Sequence, residues 1–236
     1  MARYTSSLEI PIPDRVAAGQ ALVGLLDGHR ERSDAIVLAL PRGGVPVAYE
    51  IAMALNVRLD LMLVRKLGVP GHAELAMGAI ASGGVRVLNR DVIRALRIGD
   101  EAVEAVADQE AHELLRRDQA YRAGRPVPAL HDQWVVLVDD GIATGATMRA
   151  AVQAVRQQGA AHIVVAAPVA PPETLAQLRI EADEVVCPLA PDDLIAIGRW
   201  YRDFTQVPDQ HVIELLQRAW QRECEQTAGG KSDASL

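Results

Sequence analysis

Residues 135–147 read Val135-Val136-Leu137-Val138-Asp139-Asp140-Gly141-Ile142-Ala143-Thr144-Gly145-Ala146-Thr147. The continuous apolar run that opens this stretch predicts a strand buried on both faces, as in a parallel sheet. Two adjacent carboxylates then stand at the strand's C-terminal end, a loop of small residues follows, and a helix is expected from Thr147 to Gln158. In an open α/β sheet that end of the strands faces the ligand crevice. Ala, Thr and Gly let backbone N–H groups turn toward an anion, and the start of the helix adds its positive end. Thr144 and Thr147 add hydroxyl donors. Two carboxylates beside such a cradle repel a phosphate unless sugar hydroxyls or a hydrated Mg²⁺ stand between them. A strand ending in a polar turn before a capped helix would account for Asp-Asp alone; it does not account for the whole run.

Working outward, the same alternation recurs. Ala35 to Leu40 is a continuous apolar run broken by Pro41-Arg42-Gly43-Gly44, which reads as a buried strand ending in a tight loop, with a helix from Val45 to Leu55. Leu59 to Val64 reads as a second strand, followed by Arg65-Lys66 and the Gly/Pro-rich Gly68-Val69-Pro70-Gly71. Met77–Ile80 and Val85–Leu88 flank Gly83-Gly84 as a hairpin. Helical spacing marks Asp14–Val23 and Asp100–Tyr121, with His162–Val169 and Val185–Leu189 as strands around a helix from Pro172 to Ile180, and a last helix from His211 to Gln221. Strands alternating with helices predict an α/β fold with an open, mostly parallel sheet flanked by helices. A single domain is expected over residues 1–225, with a core at about 30–190 and a small hood built from the N-terminal residues and about 188–222; residues 226–236 read as a disordered tail.

Composition narrows the function. The 236 residues carry 24 Lys and Arg against 31 Asp and Glu, a net charge of −7, which speaks against a nucleic-acid partner. No run of about 18 apolar residues and no basic-then-apolar N-terminus appears, so neither a membrane span nor export is expected, and the cytoplasm is the default location. Cys187 and Cys224 cannot make a disulfide framework. No G-x-x-x-x-G-K-[ST], G-x-G-x-x-G or G-x-S-x-G is present, which removes the signatures of P-loop, dinucleotide and serine-hydrolase sites. The six histidines show no metal-ligand spacing.

The run from Val135 to Thr147 resembles the phosphoribosyl-diphosphate (PRPP) binding motif of the type I phosphoribosyltransferases. Other landmarks of that family follow in order. Leu40-Pro41-Arg42-Gly43-Gly44 resembles its pyrophosphate loop, Arg65-Lys66 resembles the basic pair before its mobile catalytic loop, and Leu67–Glu74 would form that loop. The similarity spans roughly residues 13–222 and is strongest to a bacterial subgroup known only as putative phosphoribosyltransferases.

The resemblance implies transfer of ribose 5-phosphate from PRPP to a nucleobase-like nitrogen acceptor, with release of pyrophosphate, in nucleotide salvage. It implies Asp139, Asp140, Arg42 and Lys66 as the catalytic set, with Mg²⁺ as cofactor on Asp139 and Asp140, directly or through water. Pro41, Gly43, Gly44 and Arg65 would line the pyrophosphate side; Gly141, Ile142, Ala143, Thr144, Gly145, Ala146 and Thr147 would hold the ribose 5-phosphate. Trp200 and Tyr201, in a late aromatic cluster with Phe204, loosely resemble the base-binding hood of purine-salvage members, with Asp203 as a carboxylate that could read the ring's edge. One of the two aromatics is expected to touch a base and the other to pack beneath it. A homo-oligomer, a dimer, is the implied assembly. The rival function is a regulator that keeps the fold and uses PRPP or a nucleotide as a signal.

Overall fold

The computed structural model describes residues 8–229. Five strands, β1 (Ala35–Ala39), β2 (Arg58–Leu61), β6 (Trp134–Val138), β7 (His162–Ala166) and β8 (Glu184–Val186), form a parallel sheet in the order β2-β1-β6-β7-β8. A second, antiparallel sheet holds β3 (Val64–Val69), β4 (His72–Ala81) and β5 (Val85–Leu88). The helices are α1 (Arg15–Val23), α2 (Gly44–Leu55), α3 (Arg90–Ala95), α4 (Asp100–Arg122), α5 (Ala146–Gln157), α6 (Pro172–Glu181) and α7 (Asp209–Gly229).

The apolar runs become central strands because a pleated strand covered on both sides has no solvent face. Val37, Ala39, Val136, Val138, Val164 and Ala166 point to one side, into a core shared with α1, α2 and α7. Ile36, Leu38, Val135, Leu137, Ile163 and Val165 point to the other, against α5 and α6. The strand order decides where a ligand can go. From β1 the chain crosses over to β2 on one side; from β6 it crosses to β7 and β8 on the other. The neighbouring strands β1 and β6, paired Ala39 to Val138, therefore flank the point where the winding reverses. Loops leaving their C-terminal ends diverge and leave a crevice.

Several expectations are corrected. The apolar run at Leu59–Val64 is not one strand: β2 ends at Leu61, and Val64 opens β3 in the second sheet. Leu67–Glu74 is not an irregular loop but the turn end of the β3–β4 hairpin, with register shifts at Leu67/Gly68 and Gly68/Val69 and its tip at Pro70-Gly71. Its glycines serve a bulge and a turn, while the two-residue period of Leu67 and Val69 buries one face. The short helix α3 was not anticipated; Asn89 caps it by accepting the Val92 N–H at 3.2 Å. Residues 226–229, expected in a disordered tail, continue α7, where the Gln226 side-chain amide donates to Asn56 Oδ1 at 2.8 Å. The rest of that tail lies outside the described residues.

Candidate active site

The crevice between β1 and β6 is built from two loops. The first, after β1, carries Pro41, Arg42 and Gly43 into the start of α2, and its Pro41–Arg42 peptide is cis. The second, after β6, carries Asp139 through Gly145 into α5. A β-carbon on Gly43 would stand closer than 3.0 Å to Oδ2 and Cγ of Asp140, so the absence of a side chain lets the two loops touch. Gly145, at φ 74°, turns the second loop into α5 from the left-handed region, with no side chain capping the helix. Ala143, Thr144, Ala146 and Thr147 are exposed around this turn, while Ile142 is buried and anchored by its N–H to Val169 O at 2.9 Å. From below, Thr174 Oγ1 donates to Ala143 O at 2.8 Å. The result is a rigid rim of small residues around the free N–H groups of a helix start, a geometry suited to an anion.

The two aspartates differ. Asp139 is half-buried, and its Oδ1 accepts the Asp140 N–H at 2.8 Å. Burial, reinforced by the neighbouring Asp140 charge, holds its carboxyl well above the usual carboxylate range. Asp140 is buried, and its Oδ2 accepts from Arg15 Nε at 2.7 Å. Arg15, the first residue of α1, lies 125 positions away and carried no signal in the sequence beyond a helix start next to Asp14.

The remaining candidates divide. Arg42 Nη1 lies 3.6 Å from Asp209 Oδ1, in a cleft of about 260 Å³ that also takes in Tyr121, Arg116 and Arg117. Burial, with the hydrogen bond to Asp209, pushes the Tyr121 hydroxyl up to about 12. Lys66 is exposed, donates to Glu74 O at 3.3 Å, and lines a separate cleft of about 560 Å³ with Ala146 and Thr147. Strand alternation sends Arg65 the other way, to Glu110 on α4 at 2.7 Å. The sequence pair Arg65-Lys66 is therefore split between two faces, and only Lys66 lines the cleft that the start of α5 borders.

Trp200 and Tyr201 also part company. The chain at residues 12–13 runs beside 200–203: Ile12 N–H donates to Trp200 O at 2.7 Å, and Arg202 N–H donates back to Ile12 O at 2.8 Å. Tyr201 is buried, and its hydroxyl donates to Asp140 O at 2.6 Å. Burial, with the Asp140 charge nearby, raises that hydroxyl far above its ordinary value, so it stays a donor. Trp200 is half-buried. Ile197, just before it, packs over Gly141, where a β-carbon would collide with its side chain. Asp203 is exposed and engages Thr205, whose N–H and hydroxyl it accepts at 2.9 and 2.6 Å. We expect Tyr201→Phe to lower stability by about 0.5–1.5 kcal/mol, the net value of one buried hydrogen bond, as read by urea unfolding.

A five-stranded parallel sheet flanked by helices, with an acidic pair, a small-residue turn and a second glycine loop at its reversal point, is a phosphoribosyltransferase-like fold. The phosphoribosyl transferase domain family model matches residues 12–199, and the chain belongs to that family. Two Mycobacterium tuberculosis proteins, from strains CDC 1551 / Oshkosh and H37Rv and each named a putative phosphoribosyl transferase, are 47% identical over 206 residues. Those matches cover 87% of this chain and 46% of each relative, so the chain spans about half the length of the curated proteins it matches. A crystal structure of a protein from Thermus thermophilus superposes with a TM-score of 0.77 at 43% identity, covering 86% of this chain and 96% of that one. No helix among the described residues is long and apolar enough to cross a membrane.

Proposed function

We propose that the protein transfers the 5-phosphoribosyl group of PRPP to a nitrogen of a small heterocycle, releasing pyrophosphate. The observation that carries this reading is the contact of Gly43 with Asp140. That contact sets the loop after β1 against the acidic pair, whose own loop runs on into α5, which supports a reading in which one molecule with phosphates at both ends of a ribose spans the two loops.

In this reading the N–H groups and hydroxyls from Ala143 to Thr147 hold the 5-phosphate, and Gly141 and Ile142 set the turn that presents them. Asp139 faces the ribose hydroxyls, with Asp140 beside it. The backbone at Pro41, Gly43 and Gly44 with the Arg42 guanidinium holds the pyrophosphate, and Lys66, from the hairpin wall near Thr147, balances phosphate charge. Arg65 supports the hairpin through Glu110 rather than meeting substrate.

Among the described residues no three His, Cys, Asp or Glu side chains gather into a metal cage. Mg²⁺ needs less, since it keeps several waters and takes oxygens from substrate phosphates with one or two carboxylates. The Asp139–Asp140 pair fits that requirement: Asp139 would hold it directly and Asp140 through water, and when bound it supplies neutralisation of the departing diphosphate. The chain's own contribution is to orient C1 of the ribose between acceptor and leaving group and to place fixed donors where negative charge grows. Trp200 offers the flat apolar surface for the heterocycle, while Tyr201 fixes the loop.

The test is pyrophosphate release from Mg²⁺–PRPP by purified protein against a panel of nucleobases. Turnover with at least one base is expected; tight PRPP binding with no turnover on any base would instead favour a PRPP-sensing regulator. Asp139→Asn should weaken Mg²⁺–PRPP binding roughly ten- to hundredfold, the loss of one charged contact of about 1.5–3 kcal/mol, measured by titration calorimetry. With an accepted base in hand, Trp200→Ala should raise its KM severalfold and leave the KM for PRPP unchanged, since stacking contributes about 0.5–1.5 kcal/mol beyond area burial.

A further inference from the structure

A crevice lined by two carboxylates should repel a ligand carrying a phosphate and a diphosphate. We infer that Arg15 resolves this conflict by acting as the positioning residue and counter-charge of Asp140, so that the site presents one free carboxylate rather than two. This rests on the PRPP reading given above.

Three contacts hold the Arg15 guanidinium. Nε donates to Asp140 Oδ2 at 2.7 Å, Nη1 donates to Thr205 O at 2.9 Å, and Cζ lies over the Phe204 ring, 4.0 Å from its centre. The pair is largely withdrawn from water, with side-chain exposures of 11% for Arg15 and 12% for Asp140. Arg15 is itself anchored where α1 begins, because Asp14 caps that helix by accepting the Ala17 N–H at 2.8 Å. The Asp140 carboxylate is closed on another side by Gly43, and Tyr201 pins the Asp140 carbonyl. Asp139 has no such cation bonded to it among the described residues; its Oδ1 accepts the Asp140 backbone N–H.

Four segments far apart in sequence thus meet at one carboxylate: α1, the glycine loop after β1, the acidic pair, and residues 201–205. The bonded cation is committed to Asp140, and the Asp139 side chain keeps no such partner among the described residues. One guanidinium thus sets Nε on the carboxylate, Nη1 on a carbonyl and Cζ over an aromatic ring. A lysine ammonium offers a point charge and cannot reproduce it. Without Arg15, Asp140 keeps a full charge next to the loop that holds the diphosphate and loses the partner that turns it away.

The experiment is a double-mutant cycle on Mg²⁺–PRPP affinity, by titration calorimetry well below each variant's Tm. Arg15→Met is expected to weaken binding roughly ten- to hundredfold, on the scale of one charged contact. Arg15→Lys should fall between Met and wild type, because charge returns without the fork. The Arg15→Met/Asp140→Asn double variant should bind no more weakly than the weaker single variant, since both changes remove one unit. A purely structural brace would lower Tm and leave the affinity of the folded protein at the wild-type value; that result, or losses that multiply in the double variant, would overturn the inference. A wild-type chain that does not bind Mg²⁺–PRPP would overturn the functional reading, and this inference with it. A binding wild type with an equally tight Arg15→Met variant would overturn this inference alone.

Discussion

Gly43→Ala should cripple the protein although it adds a single methyl group. The new β-carbon would lie within 3.0 Å of Oδ2 and Cγ of Asp140. That carboxylate cannot step aside, because Arg15 holds its Oδ2 at 2.7 Å and Tyr201 holds its carbonyl at 2.6 Å. Either the buried ion pair breaks, at a cost of about 3–5 kcal/mol, or the two loops separate. Both routes pull apart the two halves of the proposed PRPP site. The expected result is a clear fall in Tm, with Mg²⁺–PRPP affinity reduced by about two orders of magnitude or more, since 1.4 kcal/mol is tenfold. Gly28→Ala is the matched control, because a β-carbon there meets nothing within 4 Å. Equal affinity and Tm in the two variants would show that the loops do not touch in solution.

The second large effect is on stability and lies away from the crevice. Arg122, at the end of α4, is 0% exposed; its Nε donates to Asp60 Oδ1 at 2.8 Å and its Nη2 to Leu61 O at 2.7 Å, and it also pairs with Asp118. Asp60 sits in β2 at 3% side-chain exposure, where burial pushes its carboxyl up against the opposing pull of Arg122. Arg122→Met removes the cation and strands the acid. The expected loss is about 3–5 kcal/mol. At roughly 2–4 °C per kcal/mol for a chain of this size, Tm should drop by about 6–20 °C. Replacing both partners, as Arg122→Met/Asp60→Leu, should recover part of that loss, because the fully buried acid is then gone, while Asp118, at 19% side-chain exposure, stays without its partner. Urea unfolding of the two variants decides the matter: a double variant no more stable than Arg122→Met would mean that the pair's worth lies in packing rather than charge.

The candidate site was legible where chemistry and local order coincide. Asp139 to Thr147 and Pro41 to Gly44 are contiguous runs whose strand, loop and helix start can be read in place, and the structure puts both at the reversal point of the sheet. The basic pair was legible only as a pair. Strand alternation separated Arg65 from Lys66, and the boundary between β2 and β3, which moves both residues into the second sheet, is hidden in one unbroken apolar run. Trp200 and Tyr201 stand out in the sequence as adjacent aromatics, but adjacency could not say which was buried. The Tyr201 bond to Asp140 O, across 61 positions, answers that.

By itself, the sequence determined most strands of the parallel sheet, the helices between them and the residue types at the strand ends. Runs such as Ala35–Leu40 and Val135–Val138 read as strands covered on both faces, which the sheet bears out, and the carboxylate pair before a small-residue turn marks that strand's end as the candidate site. Those are local properties, set by side-chain size, period and backbone freedom. Tertiary structure alone decided the partners: Arg15 on Asp140, Gly43 against that same carboxylate, Arg122 on Asp60, and Ile12 beside Tyr201. Such contacts join residues tens to more than a hundred positions apart and depend on which strands become neighbours. Nothing in a single stretch of chain encodes that choice; it follows from burying both faces of one sheet at once.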